Sequence, residues 1–119
     1  MAEHTLLAVD DEPGMRLLAE AAVAAAGYRV LLASGGEEAL SLLDSHRPDV
    51  VLLDILMPDM DGLETCRRIK AMPDHQHLPI IMLTGLDDVE AVEKAYQSGA
   101  WDFCSKPINW QILKHRVSF

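Results

Sequence analysis

The chain is short of cysteine, of positive charge and of long apolar runs, and each shortage closes a class of function. It has two cysteines, Cys66 and Cys104, among 119 residues. That is too few for the disulfide framework of a small secreted scaffold, and it suits reduced thiols in a cytoplasmic protein. A Cys66–Cys104 bridge is the one disulfide the count allows. Ten Lys and Arg stand against nineteen Asp and Glu, for a net charge of −9. Such a surface repels a phosphate backbone, so direct nucleic-acid binding by this domain is not expected. No apolar run approaches the ~20 residues needed to span a bilayer. The start, MAEHTLL, lacks the basic residues and long apolar core of a signal peptide. No repeat, low-complexity tract or linker interrupts the chain.

What is present is ordinary in bulk and regular in order. Half of the residues are hydrophobic, enough for one domain with a real core. Leu6 to Val9 reads as a strand, and Pro13 opens a helix running to a Gly27 stop. Tyr28 to Ala33 is β-rich, and Glu37 to Ser45 follows as a second helix. Val50 to Leu53 is continuously apolar, as a strand buried on both faces should be. Leu63, Cys66 and Ile69 recur at helical spacing up to Met72-Pro73. Pro79 to Leu83 is a fourth strand. Val89, Val92 and Tyr96 mark a helix closed by Gly99, Asp102 to Cys104 a short fifth strand, and Trp110, Leu113 and Val117 a fifth helix. Strands alternating with helices imply a parallel sheet covered on both faces.

Acidic residues and one lysine fall at the ends of three of these strands. Asp10-Asp11 closes the first, Asp54 the third, and Lys106-Pro107 the fifth. In an open parallel sheet those ends lie side by side, where ligands bind. Two unit charges about 4 Å apart cost roughly 4 kcal/mol at an effective dielectric of about 20. A cluster of three carboxylates therefore points to a divalent cation, with the lysine placed for an anion such as a phosphoryl group. Taken singly, each residue has an ordinary reading. Acidic pairs cap helices, and Glu12-Pro13 is a helix start; Lys106 could be a surface lysine and Thr84 a cap. An unpaired charge at Asp54, inside an apolar run, would be costly.

In this order, these residues resemble the receiver domain of two-component response regulators. The resemblance rests on Asp10-Asp11, Asp54 before Met57-Pro58 and Asp61-Gly62, Leu83-Thr84-Gly85, Gly99-Ala100 before Phe103, and Lys106-Pro107, and it covers essentially the whole of residues 1–119. It implies a flavodoxin-like (βα)₅ doubly wound sheet with strand order 2-1-3-4-5. It also implies a signalling switch rather than an enzyme with turnover on other substrates. Asp54 would accept a phosphoryl group from a sensor histidine kinase or phosphotransfer protein. A carboxylate suits that task because it is ionised near neutral pH without a general base. Mg²⁺ would be held by Asp11, Asp54 and the Leu56 carbonyl, with Asp10 acting mainly through water. Lys106 and Thr84 would bind phosphoryl oxygens. Thr84 and Phe103 would move together as the switch, with Phe103 otherwise an ordinary core residue, and Pro107 would follow a cis peptide. The fourth helix, fifth strand and fifth helix, with Tyr96, Trp101 and Trp110, would form the readout face and the surface of a homodimer.

Two positions depart from the usual pattern. Leu56 and Leu86 stand two residues beyond Asp54 and Thr84, where they offer no hydrogen bond to an attacking water. Slow self-dephosphorylation is the expectation. Phe103 takes the place of a frequent tyrosine and has no hydroxyl to anchor either rotamer. A Mg²⁺-dependent phosphohydrolase resembling the haloacid dehalogenases would need an aspartate at position 56, so that class does not fit. A receiver that has lost its chemistry conflicts with the complete set of Asp10, Asp11, Asp54, Thr84 and Lys106. His75 and His77, in PDHQHLP, have metal-compatible spacing but read as part of a solvated loop. Met57 and Met60 read as packing residues. The last helix is short and lacks a stop signal at Phe119, so a longer protein with a C-terminal output domain is expected. The stretch KPINWQILKHRV resembles receivers that precede cyclic-di-GMP domains.

Overall fold

The computed structural model describes residues 4–25, 27–84, 93–94 and 96–105. Strands β1 (Thr5–Val9), β2 (Arg29–Ala33), β3 (Val50–Asp54), β4 (Ile80–Thr84) and β5 (Asp102–Ser105) form one sheet ordered β2-β1-β3-β4-β5. Every neighbouring pair is parallel. Helices α1 (Pro13–Ala25), α2 (Gly36–Leu43) and α3 (Gly62–Ala71) connect the first four strands. This is the parallel sheet that the alternation implied, in the flavodoxin-like strand order that the resemblance implied. The expected fifth helix, Leu86, Lys106, Pro107 and Trp110 lie outside the described residues, as does most of the expected fourth helix.

Alternation along the strands divides the core into two layers. Leu7, Val9, Val51 and Leu53 pack with Ala39 and Leu43 of α2 and with Cys66 and Ile69 of α3. Leu6, Ala8, Val50 and Leu52 pack with Ala19 and Val23 of α1. A strand whose both faces are covered must be apolar throughout, and β3 is buried at all five positions. That parity also decides where Asp54 goes. It follows Val50 and Leu52 on the α1 face, as Asp10 follows Leu6 and Ala8. The register pairs Leu6 with Val50 and Ala8 with Leu52. Two residues further on, the same rows reach Asp10 and Asp54.

Helix ends follow local chemistry. Gly27 turns the chain after α1 at φ +91°, a backbone that favours glycine. The second helix stops at Leu43, short of Ser45. There the Asp44 and Ser45 amides donate to Ser41 and Leu42 three residues back, so the last turn tightens instead of continuing. Asp61 caps α3, its carboxylate accepting from the Glu64 amide at 2.8 Å. Gly99 follows the helical residues 96–97 at φ +103°, its amide donating to the Tyr96 carbonyl, and lies against the Lys70 stem. The segment Pro73–His75 forms a 3₁₀ turn, where the sequence reads as a solvated loop. His75 is buried, and its Nε2 lies 2.9 Å from the Leu43 carbonyl that ends α2. Its role is to tie the exit of α3 to the exit of α2. Met57 and Met60 are buried, in keeping with packing roles.

Candidate functional site

The two central strands deliver their acidic residues to one point. One carboxylate oxygen from each of Asp10, Asp11 and Asp54 lies within 4.8 Å of the other two. Asp10 and Asp54 are buried, at 5% and 4% exposure, and Asp11 is half-buried. Each position has a local cause. The Asp10 amide donates to the Ala33 carbonyl at 3.1 Å, prolonging the β1–β2 ladder by one residue. Its Oδ1 accepts the Glu12 amide at 3.0 Å, which turns the chain into α1. Asp10 is thus a turn former and a cluster member at once. Asp54 is the last residue of β3 and pairs in register with Leu83. The strand course holds one residue further, where the Ile55 amide donates to the Leu83 carbonyl at 3.1 Å.

The loop after β3 is folded back tightly. The Gly62 amide donates to the Ile55 carbonyl at 2.8 Å, and Asp59 takes a left-handed conformation at φ 67°. Gly62 sits against the Asp54 backbone, where a Cβ would come within 2.2 Å of the carbonyl oxygen. Leu56 stands at the rim of this loop, 62% exposed. The N-terminus of α1 opens just after the acidic pair, and a helix start favours negative charge nearby.

The rest of the proposed set is placed only in part. Thr84 ends β4 and pairs in register with Ser105, the residue before Lys106. Lys106, Pro107 and the Thr84 side chain lie outside the described residues. Phe103, on β5, is half-buried against the α2–α3 layer and meets Tyr96 edge-on, ring centroids 6.2 Å apart. Tyr96 and Trp101 are exposed. Cys66 and Cys104 are free thiols.

One residue at the site was missed in the sequence. Arg16 donates from Nη1 to the Asp10 carbonyl at 2.7 Å. Side chains of a helix lean toward its N-terminus, so an arginine in the first turn of α1 was a readable signal.

The cluster is chemically suited to a hard divalent cation. Three carboxylate oxygens this close, two of them on buried residues, repel one another, and a cation held between them offsets that repulsion. Such a cation would also draw in a further anionic oxygen, such as one from a phosphoryl group.

Known proteins resemble this chain in sequence and fold. Residues 6–118 match the family described as the response regulator receiver domain. The transcriptional regulatory protein AfsQ1 of Streptomyces coelicolor is 38% identical over 113 residues, covering 95% of this chain and 49% of that protein. A probable cyclic di-GMP phosphodiesterase of Vibrio cholerae is also 38% identical, over 117 residues, covering 98% of this chain and 26% of that protein. The chain thus spans half or less of the length of these relatives. The receiver domain of the sensor histidine kinase PA1611 from Pseudomonas aeruginosa superposes with a TM-score of 0.89 at 31% identity, covering 97% of this chain and 94% of that one. Its structure holds a magnesium ion coordinated in the active-site cleft. Family match, strand order and acidic cluster agree: this chain is a response-regulator receiver domain, a module of two-component signalling.

Proposed function

We propose that Asp54 is the phosphoacceptor of a Mg²⁺-dependent signalling switch. The observation that carries this reading is the convergence of the Asp10, Asp11 and Asp54 oxygens within 4.8 Å at the carboxyl ends of β1 and β3. Asp11 and Asp54, with the Leu56 carbonyl, would hold the ion directly, and Asp10 would reach it through water. When bound, the ion neutralises charge on the incoming phosphoryl group. The Asp54 carboxylate attacks the phosphorus of a phosphohistidine on a kinase or phosphotransfer protein. A P–O bond forms as the P–N bond breaks, and the leaving imidazole is neutralised by a proton. Burial of Asp54 keeps bulk water from the acyl phosphate. Lys106 and Thr84 bind the transferred oxygens from the ends of β5 and β4. The domain carries out this step on itself and turns over no other substrate.

The added charge is read by the Thr84–Phe103 pair and by the face that includes Tyr96 and Trp101. Phe103 contacts both the core and Tyr96, so a change in its rotamer alters that face. A ligand or modification shifts such a pair only by favouring one state over the other. The same face serves for homodimer formation. The output belongs to a further domain of a longer protein, and we read it as cyclic-di-GMP-related. That reading is supported by the Vibrio cholerae relative and by the segment KPINWQILKHRV.

The test is incubation with acetyl phosphate and Mg²⁺ followed by intact mass. One gain of about 80 Da is expected, absent in Asp54→Asn and absent without the metal. Continuous phosphate release would indicate a hydrolase, and no gain would indicate an inert module. The rest of the reading frame identifies the output domain.

A further inference from the structure

We infer that Arg16 is a positioning residue for the acidic site: it fixes the Asp10–Asp11 peptide and thereby sets metal affinity. The inference rests on the magnesium-site reading above. A cation in the first turn of a helix opposes the helix dipole, so Arg16 is badly placed for α1 itself. Its location makes sense at its tip, where Nη1 meets the Asp10 carbonyl oxygen at 2.7 Å. The side chain is half-buried. Together with Ala19, Leu52 and Leu83 it lines a small cavity on the α1 face of the sheet, directly below the strand ends. The guanidinium thus reaches the Asp10 backbone along the wall of that cavity.

Asp10 is then held at three atoms. Its amide is bonded to Ala33, its Oδ1 to the Glu12 amide, and its carbonyl to Arg16. The third bond differs from the others in what it fixes. The Asp10 carbonyl belongs to the planar peptide that leads into Asp11, so holding it sets the direction in which the Asp11 side chain leaves the backbone. Asp11 is the half-buried member of the cluster, with less surrounding structure than Asp10 or Asp54 to aim it. Without the Arg16 bond this peptide can rotate, and the three oxygens lose their shared centre.

Two effects of Arg16 compete. Its positive charge alone would weaken cation binding, while its aim on the peptide would strengthen it. Groups that orient metal ligands typically change affinity by about 10- to 100-fold when removed. Half-exposed charges act weakly through solvent, so aim is the larger effect.

The test is Mg²⁺ titration by calorimetry on the 119-residue chain, beside thermal unfolding with and without Mg²⁺. Arg16→Met should weaken Mg²⁺ binding about tenfold, with the metal-free unfolding midpoint nearly unchanged. Arg16→Lys, which keeps a cationic donor without the planar fork, should recover part of the loss. Equal or tighter Mg²⁺ binding by Arg16→Met overturns the inference. So does a lowered metal-free midpoint with an unchanged Mg²⁺ constant, which would make Arg16 merely structural. Should Arg16→Met fail to fold, Arg16→Lys decides alone, and an unchanged constant overturns the inference. If the unaltered chain binds no Mg²⁺, the magnesium reading itself falls and takes the inference with it, an outcome distinct from the others.

Discussion

Gly62 and Asp54 touch through their backbones: a β carbon on the glycine would lie 2.2 Å from the aspartate carbonyl oxygen, and 2.8 Å from the neighbouring Ile55 Cα. The first residue of α3 is thereby pressed onto the strand end that bears the central carboxylate. Gly62→Ala gains up to about 1 kcal/mol of helix propensity. It must also push backbone against backbone, which costs more. A net loss of about 1–3 kcal/mol is expected, measured as a fall in urea midpoint. Gly14→Ala in α1 is the control, because nothing lies within 4 Å of its would-be Cβ. That variant should be neutral or slightly stabilised.

Crowded carboxylates should make the metal-free protein less stable than its core allows. Asp54→Asn removes one charge from the cluster and should raise the unfolding free energy by about 1 kcal/mol. Added Mg²⁺ should stabilise the unaltered chain by about 2.7 kcal/mol at a hundredfold excess over its Kd, and the variant by much less. Calorimetric melting with and without Mg²⁺ reads both effects. A melting curve of the unaltered chain that ignores millimolar Mg²⁺ would contradict the metal site.

Leu56 lies at the rim beside the acidic cluster and presents an exposed apolar side chain there. It can neither orient nor deprotonate a water that would attack an acyl phosphate on Asp54. The phosphorylated state should therefore last minutes or longer in Mg²⁺ buffer. Leu56→Asn supplies a polar group and should shorten the lifetime several-fold, followed by loss of the phosphorylated mass after desalting. A lifetime of seconds in the unaltered chain would sink the argument.

Cys66 lies on the buried face of α3, and burial pushes its thiol pKa up, only partly offset by a hydrogen bond with Ser98 and by the nearby Lys70 and Arg67. A raised thiol pKa means that the folded state keeps a proton the unfolded chain releases. The contribution is thus fully present below the ordinary thiol range and is lost as pH rises through the folded value. Stability should fall above the ordinary thiol pKa, and Cys66→Ala should flatten that fall. Lys70, whose pKa is lowered by burial, acts in the opposite direction over its own range. The difference between the unaltered chain and Cys66→Ala in urea midpoints from neutral to alkaline pH isolates the thiol.

Legibility differed from residue to residue. Asp10, Asp11 and Asp54 were visible because each interrupts or closes an apolar run, and charge at the end of a buried strand needs a reason. The strand periods were visible because β3 is covered on both faces and so contains no polar residue before Asp54. His75 was misread because its neighbours Asp74, Gln76 and His77 are polar. Its burial comes from the α2 exit, 32 residues earlier, where Leu43 offers a bare carbonyl. Arg16 was overlooked because its partner is a backbone oxygen, which has no signature in a list of side chains.

The amino-acid order by itself determined the alternation of strands and helices, the shortage of positive charge, and which residues could carry the chemistry. These depend on local periodicity and composition, so they can be read without knowing what meets what. Only the folded chain decided that Asp10 and Asp54 share the α1 face, that Gly62 abuts the Asp54 backbone, and that Arg16 pins the peptide leading to Asp11. Those facts depend on register between β1 and β3, strands 41 residues or more apart in the chain. Contacts across such separations are fixed by packing two layers onto one sheet, and no short window of sequence contains them.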